Sequence, residues 1–406
     1  MKKVLYIFIV IAFVSCDKNK LPKSLEVGIY RVSLAIQDNE ELPFIMKVTS
    51  PNSLEVYNAE EVIQVDEITY RNDSVYIQTP VFEGYIAAKI TTNGFEGSFI
   101  KESLDRIVPV KAEKNNNTRF PIVKNKTPVN MSGVWETVFS QDSKEDRYIA
   151  KGTFQQDGQH LTGTFRTTTG DYRYLEGVVN GNTFKLSTFD GAHAFLFTGT
   201  ITDNTLNGFF YSGDHWKEPF TAKKNATYEL PHEDTLTYIK DGYNGLEFSF
   251  PDIDGNLFSL KDRRFQDKVV IVQIMGTWCP NCLDESKYYT QYYQNNKDKG
   301  IEFIALAFEV AKTKEVAFQR IDRLKKRLHI EYPIVLAQYG NTADKKLAQE
   351  KLPMLNHIIS YPTSIFIDKK GNVRKIHTGF NGPATGQKYL DFKKEFENFV
   401  AELLKE

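Results

Sequence analysis

Short apolar runs separated by turn residues fill the first half of the chain. From residue 25 to about residue 224, runs rich in Val, Ile, Tyr, Phe and Thr alternate with Gly, Asn and Asp turns roughly every 8–12 residues. Residues 74–78 (Ser-Val-Tyr-Ile-Gln) and 84–90 (Gly-Tyr-Ile-Ala-Ala-Lys-Ile) are two such runs. Hardly any window in this region has the period of an amphipathic helix. The pattern therefore predicts an antiparallel β region.

The β region contains an internal repeat of about a hundred residues. The matching segments are residues 28–30 with 133–135, residues 95–99 with 206–210, and residues 110–115 with 220–225. The repeat predicts two β modules, at residues 25–115 and 128–225. Each module could close as a small barrel or pack as a sandwich, and the two copies together could also build one larger sandwich.

Longer apolar runs and helical periods replace this pattern after residue 243. The runs at 269–275 and 301–308 have the length and the β-branched content of buried strands, and a helix with an apolar side begins after Thr313. The whole pattern predicts strands at 269–275, 301–308, 334–336, 360–368 and 373–376, helices at about 279–297, after 313 and at about 389–404, and a hairpin at 248–260. Residues 243–406 are thus predicted to form an α/β domain, joined to the β modules by a polar linker at 226–242.

The chain begins with a basic Lys-Lys pair and an apolar run at residues 4–14. This run is shorter than the about 20 residues that a membrane-spanning helix needs, so residues 1–16 are predicted to be an export signal. With Cys16 directly after the signal, the segment resembles a bacterial lipoprotein signal. That resemblance implies that Cys16 is lipidated and that residues 17–24 form a short tether from the membrane. The alternative is an ordinary cleaved signal with an incidental cysteine.

Composition narrows the classes of function. The chain has 51 basic and 52 acidic residues, with no long block of one sign. A nucleic-acid-binding protein is expected to carry a basic patch or stripe, so this class is excluded. The 21 Tyr and 29 Phe residues supply apolar surface for large cores. The chain is therefore predicted to be globular and not disordered.

Two cysteines, Cys279 and Cys282, lie where the strand predicted at 269–275 ends and a helix begins. Unpaired N–H groups and the positive end of the helix dipole stabilise a thiolate at such a position. The spacing of three residues also lets the second sulfur reach the first. We therefore predict a redox-active dithiol at Cys279 and Cys282, with no metal and no cofactor.

Other uses of a Cys-x-x-Cys motif fit the chain less well. A structural zinc site needs a second Cys/His pair, and the sequence offers none at ligand spacing. An inert packing pair is disfavoured by the flanking Trp278 and by Pro280 between the cysteines. A peroxiredoxin would have Pro where this chain has Val272, and a copper carrier would have a Cys-x-x-x-Cys spacing.

The order of motifs over residues 243–406 resembles the thioredoxin fold, and more narrowly the TlpA/ResA-like thiol-disulfide oxidoreductases of the bacterial envelope. The order is a strand, Trp-Cys-x-x-Cys, a helix, a βα unit, a Pro-Thr strand, a Gly-turn hairpin and a final helix. The resemblance implies that Cys279 is an exposed nucleophile and Cys282 a buried resolving thiol. It also implies that Pro362 is a cis-proline facing the disulfide, with the backbone of Tyr361 against an incoming substrate strand.

The same resemblance suggests roles for three further residues. Trp278 and Pro280 are expected to contribute to substrate binding beside Tyr361 and Pro362. Glu285 matches a glutamate that family members use near the active site, whereas the place of the thioredoxin aspartate is taken here by Gln273. Glu285 is therefore predicted to take the proton of the resolving thiol. The alternative is an exposed glutamate in the first helical turn, favoured by the helix dipole.

The sequence thus predicts an enzyme that reduces disulfides in envelope proteins through a mixed disulfide with Cys279. The resemblance implies a membrane-anchored lipoprotein that faces the periplasm and receives electrons from a membrane thiol carrier. Two alternatives remain open at this point. The protein could act as an envelope thiol oxidase or isomerase, or it could be a ligand- or protein-binding β-module lipoprotein with an accessory redox domain.

Overall fold

The computed structural model describes residues 24–406. The predicted signal peptide, the lipidation site at Cys16 and most of the tether at 17–24 lie outside the described residues. Within residues 24–406, no helix combines the length and the apolar character that crossing a membrane requires.

The first β module is a single antiparallel sheet of consecutive strands. Its strands are β1 (Gly28–Ala35), β2 (Glu41–Ser50), β3 (Ser53–Asn58), β4 (Glu61–Val65), β5 (Glu67–Arg71), β6 (Ser74–Gln78), β7 (Tyr85–Thr91), β8 (Gly94–Lys101) and β9 (Arg106–Lys114). The sheet order is β4-β3-β2-β1-β9-β8-β7-β6-β5, so the first strand pairs with the last. The sheet stays open between β4 and β5, which only Asp66 separates along the chain.

The second β module is a closed barrel. Its strands are β10 (Gly133–Phe139), β11 (Tyr148–Asp157), β12 (His160–Thr167), β13 (Gly170–Asp171), β14 (Leu175–Asn180), β15 (Thr183–Phe189), β16 (Ala194–Thr202), β17 (Thr205–Ser212) and β18 (Trp216–Lys224). Strand β11 pairs with β10 on one side and with β12 on the other, which completes the ring of strands. Of the architectures that the sequence left open, the structure therefore selects the barrel for this module.

The two modules are built alike, as the internal repeat predicts. Tyr30 of β1 lies opposite Lys114 of β9, and Trp135 of β10 lies opposite Lys224 of β18. Both buried aromatic side chains donate a hydrogen bond to the carbonyl four residues earlier, at 2.8 Å for Tyr30 and 2.9 Å for Trp135. The duplicated segments therefore occupy equivalent positions in two copies of one fold, and the all-β prediction for this region is confirmed.

The barrel packs its outer surface against the first module. The rings of Phe44 in β2 and Phe189 in β15 stack with their centroids 4.2 Å apart. Arg119, from the segment that joins the modules, is buried between them and donates to the hydroxyl of Ser187 at 3.1 Å and to the carbonyl of Pro43 at 3.4 Å. Residues of the barrel thereby complete the hydrophobic core of the first module.

The C-terminal domain has the predicted thioredoxin-like α/β fold. Its elements are β19 (Phe250–Pro251), β20 (Leu257–Phe258), β21 (Val269–Met275), α1 (Pro280–Asn296), β22 (Ile301–Val310), α2 (Lys314–Leu328), β23 (Ile334–Gly340), α3 (Lys345–Lys351), β24 (Thr363–Ile367), β25 (Val373–Thr378) and α4 (Gln387–Lys405). The central sheet has the order β23-β22-β21-β24-β25. Strands β21, β22 and β23 are parallel, and β24 is antiparallel to both of its neighbours. Helix α3 was not predicted from the sequence.

The stretch predicted as a linker packs against the α/β domain. The hydroxyl of Thr378 donates to that of Thr237 at 2.9 Å, and Nδ1 of His377 lies 2.7 Å from a carboxylate oxygen of Asp234. A short 3₁₀ helix at Glu233–Thr235 begins this contact. The polar residues that suggested a solvated connection are instead paired with polar groups of the domain.

Helix α2 attaches the α/β domain to the first module. Thr313 caps this helix, as predicted, by accepting a hydrogen bond from the N–H of Val316 at 3.3 Å. Three arginines on one side of α2 form ion pairs with acidic residues of the module. The pairs are Arg320 with Glu83, Arg323 with Glu67 at 2.8 Å, and Arg327 with Asp66 at 2.5 Å. The last two pairs lie beside the open seam between β4 and β5.

Candidate functional site

Cys279 is the N-cap residue of helix α1. Its sulfur accepts a hydrogen bond from the backbone N–H of Cys282 at 3.3 Å. Pro280 occupies the first turn, where its missing N–H costs no helical hydrogen bond. The N–H of Cys282 lies in the first turn, where it has no partner within the helix, and its contact stabilises negative charge on the Cys279 sulfur.

The turn before β24 places a second group against the Cys279 sulfur.

 The peptide bond between Tyr361 and Pro362 is cis, as the resemblance implied. The Cys279 thiol donates a hydrogen bond to the carbonyl of Tyr361 at 3.3 Å. Trp278 meets the ring of Tyr361 edge-on, with the centroids 5.5 Å apart, and its Nε1 donates to the carbonyl of Phe308 at 2.9 Å. Three predicted site residues, Trp278, Tyr361 and Pro362, are thereby brought together near the Cys279 sulfur.

Cys282 is fully buried behind Cys279, as the resemblance implied for a resolving thiol. Burial raises the pKa of Cys282 well above its usual value, and the neighbouring Cys279 and Glu285 act in the same direction. The thiol form of Cys282 is therefore strongly favoured. It can attack another sulfur only after it has given its proton to an acceptor.

Glu285 is also fully buried, so the alternative of an exposed first-turn glutamate is wrong. Its carboxylate accepts hydrogen bonds from Nε2 of Gln273 at 2.8 Å and from the hydroxyl of Ser364 at 2.9 Å. Burial raises the pKa of Glu285 to about 7, although these hydrogen bonds oppose the rise. Gln273 thus occupies the place of the thioredoxin aspartate and donates a hydrogen bond to the carboxylate of Glu285, which belongs to helix α1.

Glu309 is a second buried acid at the site, and sequence analysis missed it. The N–H of Thr277 donates to its carboxylate at 2.8 Å and the hydroxyl of Thr277 at 2.5 Å. Burial raises the pKa of Glu309 to about 7. A signal was present, because Glu309 follows directly on the apolar run of β22. Since β21 and β22 are parallel neighbours, their carboxyl ends meet at the edge of the sheet that carries the motif.

The second β module covers the motif, which corrects the expectation that Cys279 is exposed. Only 7% of Cys279 is accessible. The cover segment, residues 167–173 of the barrel, lies over it. Within this segment, the carbonyl of Asp171 accepts a hydrogen bond from Asn281 at 3.3 Å, and the carbonyl of Thr169 accepts one from Ser360 at 2.7 Å. The resemblance concerned the α/β domain alone and could not include this contact.

Arg173 is the charged residue that anchors the cover segment. It is buried and forms ion pairs with Asp284 of helix α1, with Glu61 of the first module and, at 3.3 Å, with Asp190 of the barrel. It also donates to the carbonyl of Pro280 at 3.4 Å. Its φ of 59° is uncommon for a long side chain. One guanidinium group therefore joins both β modules to the active-site helix.

Replacing Arg173 with methionine is expected to destabilise the protein by about 3–5 kcal/mol, because the change leaves buried carboxylates without a counter-charge. Urea unfolding followed by circular dichroism measures the loss. Arg327→Met is the matched control: its pair with Asp66 is largely exposed, so it should cost no more than about 1 kcal/mol. The gap between the variants should shrink at acidic pH as the carboxylates become protonated. Equal unfolding midpoints at neutral pH would contradict this role of Arg173.

A cavity of about 560 Å³ lies between the cover segment and the motif. Cys279, Trp278, Pro280 and Tyr361 line it, whereas Pro362 and Glu285 are not among the lining residues. Three of the four predicted substrate-binding residues thus face one space, and the predicted proton acceptor is not part of its wall. Among residues 24–406, no three His, Cys, Asp or Glu side chains are grouped so that they could hold a metal ion.

Comparison with known proteins places this site in a family. Residues 240–390 match the family model described as Redoxin. The chain is 30% identical over 132 residues to the thiol-disulfide oxidoreductase ResA of Bacillus thuringiensis, a match that covers 32% of this chain and 66% of that protein. It is 30% identical over 139 residues to ResA of Halalkalibacterium halodurans, with 34% of this chain and 68% of that protein covered.

Solved structures also match a part of the chain. A thiol-disulfide oxidoreductase from Bacteroides fragilis is 18% identical, with a TM-score of 0.27, and the match covers 37% of this chain and 99% of that one. The chain spans about two thirds of the length of the first curated relatives it matches, and the range of the family model lies outside the β modules. On the match to the Halalkalibacterium protein, the chain belongs to the ResA family of thiol-disulfide oxidoreductases.

Proposed function

We propose that Cys279 and Cys282 form a redox-active dithiol that reduces disulfide bonds in partner proteins of the cell envelope. The observation that carries this proposal is the position of the Cys279 sulfur, 3.3 Å from both the N–H of Cys282 and the carbonyl of Tyr361. The N–H contact stabilises a thiolate. The carbonyl belongs to the backbone edge beside Pro362 against which, by the family resemblance, a substrate strand would lie.

The reaction proceeds in two exchange steps. The Cys279 thiolate attacks one sulfur of the partner disulfide, so that a mixed disulfide forms and the other partner sulfur leaves as a thiolate. Cys282 then gives its proton to Glu285 and attacks the Cys279 sulfur, which releases the second partner sulfur. The partner gains two electrons, and the protein ends with a disulfide between Cys279 and Cys282. Trp278, Pro280, Tyr361 and Pro362 position the partner during these steps.

The cycle closes when a donor returns two electrons to the disulfide. We propose that this donor is a membrane thiol carrier, and that a lipid on Cys16 holds the protein at the membrane, facing the periplasm. The supporting observations are the lipoprotein-like signal at residues 1–16 and the family membership of the C-terminal domain.

A redox titration of the lipid-free protein against glutathione or dithiothreitol tests the proposal. We expect one two-electron transition with a potential near or below about −270 mV, the value for thioredoxin. Cys279→Ser and Cys282→Ser should each abolish the transition. A value near about −120 mV, as in strong thiol oxidants, would instead indicate an envelope oxidase. If no transition occurred, the function would lie in ligand or protein binding by the β modules.

A further inference from the structure

A second cavity of about 470 Å³ adjoins the active-site cavity. Trp278 and His193 line both cavities and so lie between them. Their walls come from both β modules and from the α/β domain. We call the two cavities together the interdomain cleft. It places Cys279 at one end of a space that the α/β domain alone does not enclose.

Three cationic side chains line the interdomain cleft: Lys345 in the first cavity, and Lys101 and Arg106 in the second. The ammonium group of Lys101 donates to the main-chain carbonyl of Ala192, and that of Lys345 donates to the main-chain carbonyl of Ile359. Within the part of the chain that the structure describes, none of the three cations has a carboxylate within 4.0 Å. Their charges are therefore not neutralised by ion pairs.

Two acidic residues also line the cleft, Asp171 in the first cavity and Glu83 in the second. Glu83 and Asp190 each form an ion pair with an arginine, Arg320 and Arg173 respectively. Asp214 and Glu83 act on Arg106, and Asp190 and Glu83 act on Lys101, only through longer-range attraction. The net charge on the walls of the second cavity is therefore positive.

The pKa values of two lining residues show that positive charge is disfavoured in the second cavity. Burial lowers the pKa of Lys101 to about 8, and burial together with Arg106 and Lys101 lowers the pKa of His215 to about 4. A positive charge held away from water without a counter-charge is unfavourable. An anionic group in the second cavity would remove this penalty.

We propose that the interdomain cleft selects disulfides that carry carboxylate groups close to their sulfur atoms. The carboxylates would lie against Lys101 and Arg106 while the disulfide reaches Cys279 past Trp278. An acidic peptide segment or a small carboxylate-bearing thiol compound would supply this chemistry. The inference rests on the proposed function, because Cys279 is the reacting group in both.

Single-turnover kinetics with short mixed disulfides test the selection. The probes are Glu-Cys-Glu, Ser-Cys-Ser and Lys-Cys-Lys peptides, each joined through its cysteine to the neutral thiol 2-thiopyridine. The pre-reduced full-length protein breaks the probe disulfide and releases thiopyridone, and Cys282 then releases the peptide thiol as the protein dithiol becomes a disulfide. We expect the acidic probe to react about tenfold faster than the neutral one. This ratio should fall as the salt concentration rises.

The double variant Lys101→Gln/Arg106→Gln should lower the ratio of acidic to neutral rates by about fivefold or more. Lys111→Gln is the matched control, because Lys111 lies on the same strand as Arg106 but is exposed and outside the cleft. Lys345→Gln is a second variant with an exposed side chain, and it should lower the ratio without affecting folding. Thermal unfolding of each variant identifies any that fail to fold.

The outcomes separate the two proposals. Equal rates for the three probes, or a ratio that the cleft variants leave unchanged, would overturn the selection and leave the proposed function intact. Failure to react with any probe would overturn the proposed function itself. Glutathione joined through its cysteine to 2-thiopyridine, so that the leaving group matches that of the peptide probes, identifies the source of the carboxylates: a rate above that of the acidic peptide points to a small thiol compound, and a lower rate points to a peptide segment. Either of these results supports the selection.

Discussion

Cys282→Ser is expected to stop the reaction at a covalent adduct between Cys279 and the partner. The Cys279 sulfur keeps the contacts that stabilise its thiolate, because the hydrogen bond from residue 282 comes from the backbone and not from the side chain. The first exchange therefore takes place, but no second thiol is present to release the partner. The adduct should accumulate to near one equivalent and be visible by mass spectrometry under non-reducing conditions.

Cys279→Ser is the matched control for the trap. Cys282 is fully buried and burial holds its pKa high, so it should form no adduct when Cys279 is absent. Turnover should fall to the background rate in both variants. An adduct that formed equally well on Cys282 would contradict the assignment of Cys279 as the nucleophile.

Glu285→Gln is expected to slow the release of the partner by about a hundredfold, the lower end of the range for general acid–base catalysis. The amide preserves the shape of the side chain but cannot take the proton of Cys282. In the wild type, the release rate should rise with pH as Glu285 ionises, with a midpoint near its pKa of about 7. In the variant this midpoint should disappear. Stopped-flow measurement of the second thiol released gives the rate.

The stability of the folded protein should fall as the pH rises, whereas the release rate rises. A carboxyl group with a raised pKa stabilises the folded state most when it is neutral, so its contribution is complete below the usual value of 4.5 and is lost as the pH rises through about 7. The difference between these values corresponds to roughly 3 kcal/mol. Glu285→Gln should therefore flatten the decline of stability between pH 4.5 and 7.

Glu309→Gln separates the kinetic effect from the effect on stability. Glu309 is as deeply buried, and its pKa is also about 7, but its partner is Thr277 and not the resolving thiol. This variant should change the pH dependence of stability in a similar way. If it also removed the midpoint of the release rate, Glu285 would not be the specific proton acceptor.

The residues of the dithiol could be predicted because their signals are local. A buried strand, Trp278, two cysteines and a helix follow one another within one stretch of sequence, and the positions of Cys279 and Cys282 follow from that order. Pro362 is distant along the chain, but strand β24, which follows it, pairs directly with β21 before the motif. The neighbours of a strand within a sheet are among the contacts that a fold-level resemblance predicts well.

The burial of the site could not be predicted in the same way. An apolar pattern indicates that a surface is covered, but helix α1 is polar where the barrel covers it: Asp284 is buried because Arg173 neutralises it. From the sequence alone, such a polar position is predicted to be exposed to solvent. The two residues are 111 positions apart and belong to different domains. Their contact depends on how complete modules dock, which neither local propensity nor the likeness of one domain determines.

Because the first strand of each β module pairs with its last strand, the chain enters and leaves each module at neighbouring positions. In the first module the chain enters through β1 and leaves through its neighbour β9, and in the barrel it enters through β10 and leaves through the adjacent β18. A unit whose two ends lie side by side can be followed directly by a second such unit. Only a short connecting segment is needed, and the strand order of the first unit stays the same. Two such units can therefore follow one another along the chain with the same topology, as the two β modules do before the α/β domain.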